Sequence, residues 1–110
     1  MKQYVIDEWP PGDRLKLAAY LKDQFYASGV DGVYWAMLGD DLLNDIQKTH
    51  DDCGPFYMAI ELTESAVICE FLVRAKNNLH CDCICYANQP QREWIMDRMD
   101  AMIEILGIQA

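Results

Sequence analysis

The chain has 110 residues, with 18 acidic and nine basic side chains and a formal net charge of −9. Its composition, 52% apolar and 25% charged, is typical of a globular protein and excludes the charge-dominated mixture of a disordered chain. The length suffices for one hydrophobic core, so we expect residues 1–110 to form a single domain. Nucleic acid and anionic membranes are poor partners for so acidic a protein, because phosphate binding requires clustered lysine and arginine.

No segment is apolar over the length that a membrane span requires, and residues 1–8 lack the apolar stretch of a signal peptide. The sequence therefore predicts a cytoplasmic protein. An odd number of cysteines is a poor framework for disulfides, so the thiols should stay reduced in that compartment. The five are Cys53, Cys69, Cys81, Cys83 and Cys85. Cys69 lies in the apolar run 66–73, which places it in the core.

The first part of the chain predicts two strands separated by a helix. Residues 4–6 favour a strand, and the proline pair that follows is tolerated at a helix start. Apolar residues at helical spacing predict a helix over residues 13–27, and Gly29 can end it in the left-handed conformation. Residues 33–38 carry no charge and are rich in β formers, which predicts the second strand.

A second and shorter helix is expected to follow this strand. Asp40 or Asp41 can cap its N-terminus, because a carboxylate accepts hydrogen bonds from the free N–H groups of the first turn. The helix should end near His50, which is predicted on its buried side. The rest of that side is expected to be Leu42, Leu43 and Ile46.

From Phe56 onward, apolar residues recur with a period of two, which predicts strands joined by short turns. These strands are expected at residues 56–62, 66–74 and 79–86. A last helix should run from Pro90 to Leu106 and end at Gly107. The order β-α-β-α-β-β-β-α indicates an α+β domain, with a mainly antiparallel sheet and helices packed on one face.

The register of the last strands decides where the cysteines lie. A turn at Thr63-Glu64 pairs Ile60 with Val67 and places Cys69 in the core. A three-residue turn after that strand would pair Val73 with Cys81 and turn the last thiols inward. A two-residue turn would pair Arg74 with Cys81 and place them on the opposite face, because a slip of one residue exchanges the faces. Both registers remain open.

Two short His/Cys segments form the most specific chemical pattern. His50 and Cys53 lie near the end of the second helix, and Cys81 follows Cys53 by 28 positions, with Cys83 two further on. Imidazole and thiolates are the ligands of structural zinc, and four of them complete a tetrahedral site. The spacing argues against this site, because alternate residues of a strand have Cβ atoms about 6.5–7 Å apart. The alternative is that Cys81, Cys83 and Cys85 line the buried face.

The last helix is predicted to expose an acidic stripe that no basic residue neutralises at helical spacing. The stripe consists of Glu93, Asp97, Asp100 and Glu104. Beside it lies an apolar ridge flanked by Arg98, formed by Trp94, Ala101 and Ile105. The ridge either packs against the rest of the domain or forms a protein-contact surface together with the stripe, with Trp94 and Arg98 as anchors.

No set of residues converges on a catalytic constellation, so the catalytic residues are unknown and the sequence argues against an enzyme. The first hypothesis is a protein-binding module, acting as an adaptor, chaperone-like protein or inhibitor, without a cofactor. Its partner would be a protein with a basic surface or a second copy, and a nucleic-acid mimic is one variant. The second hypothesis is a structural module holding one zinc ion at His50, Cys53, Cys81 and Cys83. The third is a thiol-dependent enzyme.

Overall fold

The structure, a computed structural model, describes residues 2–110; Met1, which belongs to the predicted domain, lies outside them. Across the described residues, the order of strands and helices broadly matches the prediction, and the α+β class is confirmed. In chain order the elements are β1 (Gln3–Asp7), α1 (Arg14–Gln24), β2 (Tyr26–Ala27), β3 (Val33–Met37), α2 (Asp45–Thr49), β4 (Phe56–Leu62), β5 (Ala66–Glu70), β6 (Leu72–Ala75), β7 (Cys85–Tyr86) and α3 (Gln89–Leu106).

The strands form an antiparallel sheet, as predicted. Its order is β1-β5-β4-β3-β2, while β6 pairs with the start of β4 and with β7. Each strand pairing in the described part of the chain is antiparallel. None of the helices described is long and apolar enough to span a bilayer.

One face of the sheet carries the core, and the helices pack on that face. Leu17 and Leu21 of α1 are buried there, with Ile95, Met99 and Met102 of α3. The strand β4 contributes alternate residues, as its period of two predicts: Phe56, Met58, Ile60 and Leu62. Each fully buried apolar side chain stabilises the fold by about 1.5–3 kcal/mol, so this face supplies most of the packing energy.

The first helix is shorter than predicted. It ends at Gln24, because Phe25 adopts an extended backbone with φ −128° and ψ 174°. The chain then pairs as β2 with β3, matching Tyr26 with Trp35. Gly29 has a φ of 91°, but it lies in the turn between β2 and β3 and does not end the helix. The prediction that Gly29 ends the helix is therefore wrong, although Gly29 does have the positive φ that glycine adopts more readily than other residues.

The start predicted for the second helix is wrong, and so is the buried position predicted for Ile46, whereas Leu42 and Leu43 precede the helix and are half-buried against the core. Residues 40–42 form a 3₁₀ turn, and α2 begins after Asn44, whose side chain accepts a hydrogen bond from the Gln47 N–H at 2.8 Å. Asn44 is the better cap because the Gln47 side chain in turn accepts a hydrogen bond from the Asn44 N–H at 3.0 Å. The later start turns Ile46 outward, where it is 51% exposed, and buries Gln47.

The strand predicted over residues 66–74 is interrupted at Phe71. On β4, Ile60 pairs with Cys69 but Tyr57 pairs with Arg74, so the second strand carries two extra residues and bulges between β5 and β6. The backbone of Phe71 is satisfied in the bulge, since its N–H bonds to Lys2 O at 3.0 Å and its carbonyl accepts from Ala87 N.

The register at the preceding turn differs from the prediction by two residues. Leu62 pairs with Val67, so Glu64 and Ser65 occupy the centre of the turn. The Thr63 hydroxyl stabilises this turn by accepting a hydrogen bond from Ala66 N at 2.9 Å. A shift of two residues keeps every side chain on its predicted face, and Cys69 is fully buried as expected.

The strand predicted over residues 79–86 is mostly absent. Only Cys85 and Tyr86 are in strand conformation, and Val73 pairs with Cys85, so both registers considered from the sequence are wrong. Residues 76–84 form a loop of turns, in which Asn78 accepts a hydrogen bond from His80 N at 3.2 Å. Asparagine favours such local bonds over a strand ladder.

The last helix matches its prediction closely. Asn88 caps it by accepting a hydrogen bond from Gln91 N at 3.0 Å, and Pro90 lies in the first turn. Gly107 ends it in the left-handed conformation with a φ of 66°. Its fully buried apolar side chains are Ile95, Met99 and Met102, while Ile103 and Leu106 are half-buried.

Candidate metal centre

Four metal-binding side chains meet between α2 and the loop 76–84. Their potential ligand atoms, one nitrogen or sulfur from each residue, all lie within 4.8 Å of one another. The residues are the four named by the zinc hypothesis: His50, Cys53, Cys81 and Cys83. Two distant segments of the chain therefore place one imidazole and three thiols at a single point.

The first two ligands come from the end of α2. His50 follows the last residue of the helix, and a 3₁₀ turn over residues 51–53 follows directly. The Cys53 N–H bonds to His50 O at 2.9 Å, which closes the turn. Closing the turn brings positions three residues apart onto one side of the chain. The spacing His-x-x-Cys thus becomes a pair of neighbouring ligands.

The second two ligands lie on a turn, where the sequence predicted a strand. The Ile84 N–H bonds to Cys81 O at 3.1 Å, so the backbone folds back between the two cysteines. The Cys83 N–H also points at Cys81 Sγ, at 3.4 Å. This turn removes the separation of about 6.5–7 Å that alternate residues would have on a strand. The geometric objection to a Cys-x-Cys ligand pair is therefore wrong for this chain.

Contacts among the ligands perturb the thiol pKa values in opposite directions. The Cys83 thiol, the Cys83 N–H and His50 donate toward Cys81 and lower its pKa to about 7. Burial, with the hydrogen bonds that the Cys83 thiol donates toward Cys81 and Cys53, raises the pKa of Cys83 to about 12. Burial also raises the pKa of Cys53. One thiol is thus ready to bind as a thiolate, while a metal ion must displace the protons of the other two.

Backbone contacts hold the loop against the first ligand segment. The Lys76 N–H bonds to Pro55 O at 3.0 Å, and the Asn77 N–H bonds to Cys53 O at 3.0 Å. The Asn77 side chain adds a bond to Gly54 O at 2.6 Å. These contacts fix where the loop begins, so Cys81 and Cys83 return close to Cys53.

A buried pair of glutamines lies behind the site, at positions that the sequence analysis does not predict. Gln91 Nε2 donates to Gln47 Oε1 at 3.0 Å, and Gln47 Nε2 donates to Cys83 O at 3.3 Å. Each glutamine is the third residue of a capping box, which closes on Asn44 in α2 and on Asn88 in α3. The pattern Asn-x-x-Gln, present twice, is the sequence signal that could have revealed it.

The remaining two cysteines are outside the cluster. Cys69 is buried in β5, and burial raises its pKa to about 12. Cys85 is half-buried in β7, where Asn44 Nδ2 donates to its sulfur at 3.4 Å. The alternative in which Cys81, Cys83 and Cys85 line one buried face is wrong. Of the three, only Cys83 is fully buried and only Cys85 lies in a strand.

The predicted protein-contact residues of α3 occupy two environments. The acidic residues Glu93, Asp97, Asp100 and Glu104 are exposed, as is Ile105 at 68%. Trp94 and Ala101 are half-buried. Arg98 packs across two rings, 4.5 Å from the centre of Phe25 and 5.3 Å from that of Trp94. The ridge therefore partly packs against the end of α1.

Comparisons with models of protein families, with curated proteins and with solved structures find no match for this chain.

Proposed function

We propose that this chain is a zinc-stabilised module in which one structural zinc ion is held by His50, Cys53, Cys81 and Cys83. The observation that carries the proposal is the convergence of four ligand atoms to within 4.8 Å of one another. Cys53 and Cys81 are 28 positions apart in the chain, so local sequence does not force this convergence.

The donor set favours zinc over other cations. Three sulfurs and one imidazole nitrogen form a closed set of four ligands, which is typical of structural zinc, whereas calcium and magnesium prefer oxygen. In a tetrahedral site with Zn–S distances of about 2.3 Å, two sulfurs lie about 3.8 Å apart. The four ligand atoms lie within 4.8 Å of one another, so only a small contraction is needed to reach the tetrahedral separations.

Zinc would add folding free energy where the apolar core does not reach. Residues 76–80 are all exposed, so burial contributes little to the conformation of this part of the loop. A metal bound by Cys81 and Cys83 would join the loop to the end of α2, and metal binding then stabilises the folded state. A cytoplasmic location belongs to the same proposal, because thiolate ligands persist in a reducing compartment.

Native mass spectrometry and thermal unfolding test this proposal together. Protein purified without a chelator or histidine tag should carry one zinc ion per chain. A chelator should remove the ion and lower the midpoint of thermal unfolding, and added zinc should restore it. Magnesium serves as the matched control ion and should restore nothing. Metal-free protein whose unfolding midpoint is unchanged by zinc and by chelator would contradict the proposal.

A second candidate function, protein binding by α3, rests on the exposed acidic stripe. The ion pairs found among the described residues are Lys16 with Asp13 and Arg74 with Glu70, and neither involves the stripe. Unpaired surface carboxylates would steer a partner with a basic surface and make its association depend on salt. The zinc ion would then maintain the domain that presents this surface.

Charge reversal on α3 tests the second candidate. The variant Glu93→Lys/Asp97→Lys should lose capture of a basic protein partner at low salt, because both side chains are exposed. The matched control Asp31→Lys/Glu64→Lys makes the same charge change at exposed positions away from α3. Equal capture by both variants would contradict a role for the stripe.

A further inference from the structure

The strand β1 lies at an edge of the sheet, because in the described part of the chain it pairs with β5 alone. The Phe71 N–H bonds to Lys2 O at 3.0 Å, which fixes the alternation of hydrogen bonds along β1. Lys2 and the residues two and four further on direct their backbone groups to β5. The N–H and C=O groups of Gln3, Val5 and Asp7 therefore point away from the sheet and can pair with a further strand.

This edge has the length and regularity that strand addition requires. The strand β1 has five residues and contains neither proline nor lysine, two residue types that commonly block an edge. Val5, at its centre, is 39% exposed. Extended peptides bind such edges through main-chain hydrogen bonds, while pockets beside the edge select their side chains.

A groove beside β1 supplies such a pocket. It has a volume of about 380 Å³, within the range of ligand sites, and lies between β1 and the C-terminal part of the chain. Ile6 and Ile103 give it apolar surface, and none of the described residues that line it is basic. Glu8 follows the strand, where its φ of 60° turns the chain, and still lines the groove. The acidic residues of the groove are Asp7, Glu8 and Asp100.

These three acidic residues are exposed and have no lysine or arginine partner within the described residues. Asp100 accepts a hydrogen bond from the Tyr4 hydroxyl, which holds its carboxylate beside β1. Lys2 does not neutralise the groove, because its Nζ lies over the Tyr86 ring, 5.4 Å from the centre. The groove takes only Asp100 from the acidic stripe of α3, so it is a different surface. Its charge is complementary to lysine or arginine side chains.

We propose that β1 binds an extended, basic segment of a partner protein, which adds to the sheet as a further antiparallel strand. Each residue opposite Gln3, Val5 or Asp7 then exchanges two backbone hydrogen bonds with it. The antiparallel orientation continues the pattern of the strand pairings described for this sheet.

The side chains of the bound segment divide between two faces, since alternate residues of a strand point to opposite sides. Residues opposite Val5 and its outward neighbours share the face of Val5, where apolar side chains fit. Residues between them project to the side of Tyr4 and Asp100, where lysine or arginine meets the carboxylates of the groove. A second copy of this chain would instead bring further carboxylates, because β1 ends in Asp7 and is followed by Glu8.

Hydrogen exchange of single backbone amides, measured by NMR on the full, zinc-loaded chain, tests the pairing. The probe is a blocked heptapeptide of alternating lysine and valine, with lysine at both ends. At ten times its dissociation constant it should slow exchange of the Val5 amide about tenfold, because only free protein exchanges. The Asp31 amide, in the turn between β2 and β3, should not change. Failure of the peptide to bind at about 1 mM, or an unchanged Val5 amide, would overturn the proposal.

Two methylated peptides test strand addition without altering the protein. N-methylation of the central valine removes an N–H that points at β1, and should weaken binding by at least about fivefold. N-methylation of a neighbouring lysine is the matched control, because its N–H points to solvent and its charge is kept. Equal binding of both methylated peptides would overturn strand addition. The reverse order of affinities would overturn the antiparallel orientation.

Charge reversal beside the groove tests the charge of the partner. Asp7→Lys/Glu8→Lys should weaken binding of the peptide by at least about fivefold, because it replaces carboxylates that attract lysine. The matched control Asp31→Lys/Asp41→Lys makes the same charge change at exposed positions away from β1 and should bind more tightly than that variant. Equal losses in the two variants would overturn the site. A Val5 amide that becomes protected as the protein concentration alone is raised would assign the edge to a second copy, which also overturns the proposal.

Discussion

The thiol of Cys83 is fully buried and in contact with two other ligands, so its replacement tests the metal centre at the scale of one atom. Cys83→Ser should reduce zinc affinity by more than the roughly 10–100-fold typical of outer-shell partners. Cys85→Ser is the matched control, because Cys85 is two residues away and outside the cluster. Competition with a chromogenic chelator measures both. Similar losses in the two variants would place the ligand set elsewhere.

Tyr4 gives the molecule a pH dependence that one substitution removes. Its hydroxyl donates to the Asp100 carboxylate and joins β1 to α3, and this bond raises the pKa of Tyr4 from 10.0 to about 12. A raised pKa means that the bond stabilises the fold below pH 10 and that this stabilisation is lost as the pH rises toward 12. Between these values, wild type should lose stability toward denaturant faster than Tyr4→Phe. Parallel stability curves for the two proteins would contradict this assignment.

At the scale of elements, the two capping boxes should behave as one unit. Gln47→Leu and Gln91→Leu should each cost about 1–3 kcal/mol, because each leaves buried polar groups without a partner. Their effects should not add, with a coupling of about 0.5–3 kcal/mol, since the two side chains bond to each other. Gln24→Leu, at an exposed position in α1, is the matched control. Additive effects of the two buried substitutions would show that the helix starts are independent.

The loop 76–84 should depend on the metal more than the sheet does. Hydrogen exchange followed by mass spectrometry should show faster exchange in this loop after zinc is removed. The strands β4 and β5 should remain protected, because their hydrogen bonds and buried residues do not involve the site. Equal exchange in the loop with and without zinc would contradict a structural role for the ion.

The sequence could predict regular elements better than this loop. Alternation identifies β4, and helical spacing with a terminal glycine identifies α3, because each pattern persists over several residues. Residues 79–86 contain alternating cysteines and an isoleucine, which favour a strand by the same rule. Their actual turns depend on contacts with distant residues, such as the bond from Asn77 N to Cys53 O. The local propensity of a segment carries no information about such contacts.

The four candidate ligands can be recognised in the sequence, whereas their convergence cannot be predicted from it. His50-x-x-Cys53 and Cys81-x-Cys83 can be recognised from residue type alone. The two pairs come together because a turn closed by the bond from Ile84 N to Cys81 O replaces most of the strand predicted over residues 79–86. The start of α2 is ambiguous in the sequence for a similar reason, because Asp40, Asp41 and Asn44 can all cap a helix. Tertiary structure favours Asn44, because Gln47, which bonds to Asn44, is also bonded to the buried Gln91 of α3.

For the whole molecule, three features can be distinguished by their place in the fold. The core lies on the helix-bearing face of the sheet, the proposed zinc site lies between α2 and the loop, and the acidic stripe lies on the exposed side of α3. The core and the proposed zinc site share Cys53 and Cys83, so substitutions in these two features should couple, whereas substitutions on the exposed acidic stripe should add nearly independently. The zinc ion is the feature on which the proposed function depends.

Zinc K-edge X-ray absorption on protein purified without chelator measures that ligand set directly. The account predicts one zinc ion with three sulfur ligands at about 2.3 Å and one nitrogen ligand at about 2.0 Å, the distances of tetrahedral protein sites. A metal-free protein, or zinc surrounded only by oxygen and nitrogen, would contradict it.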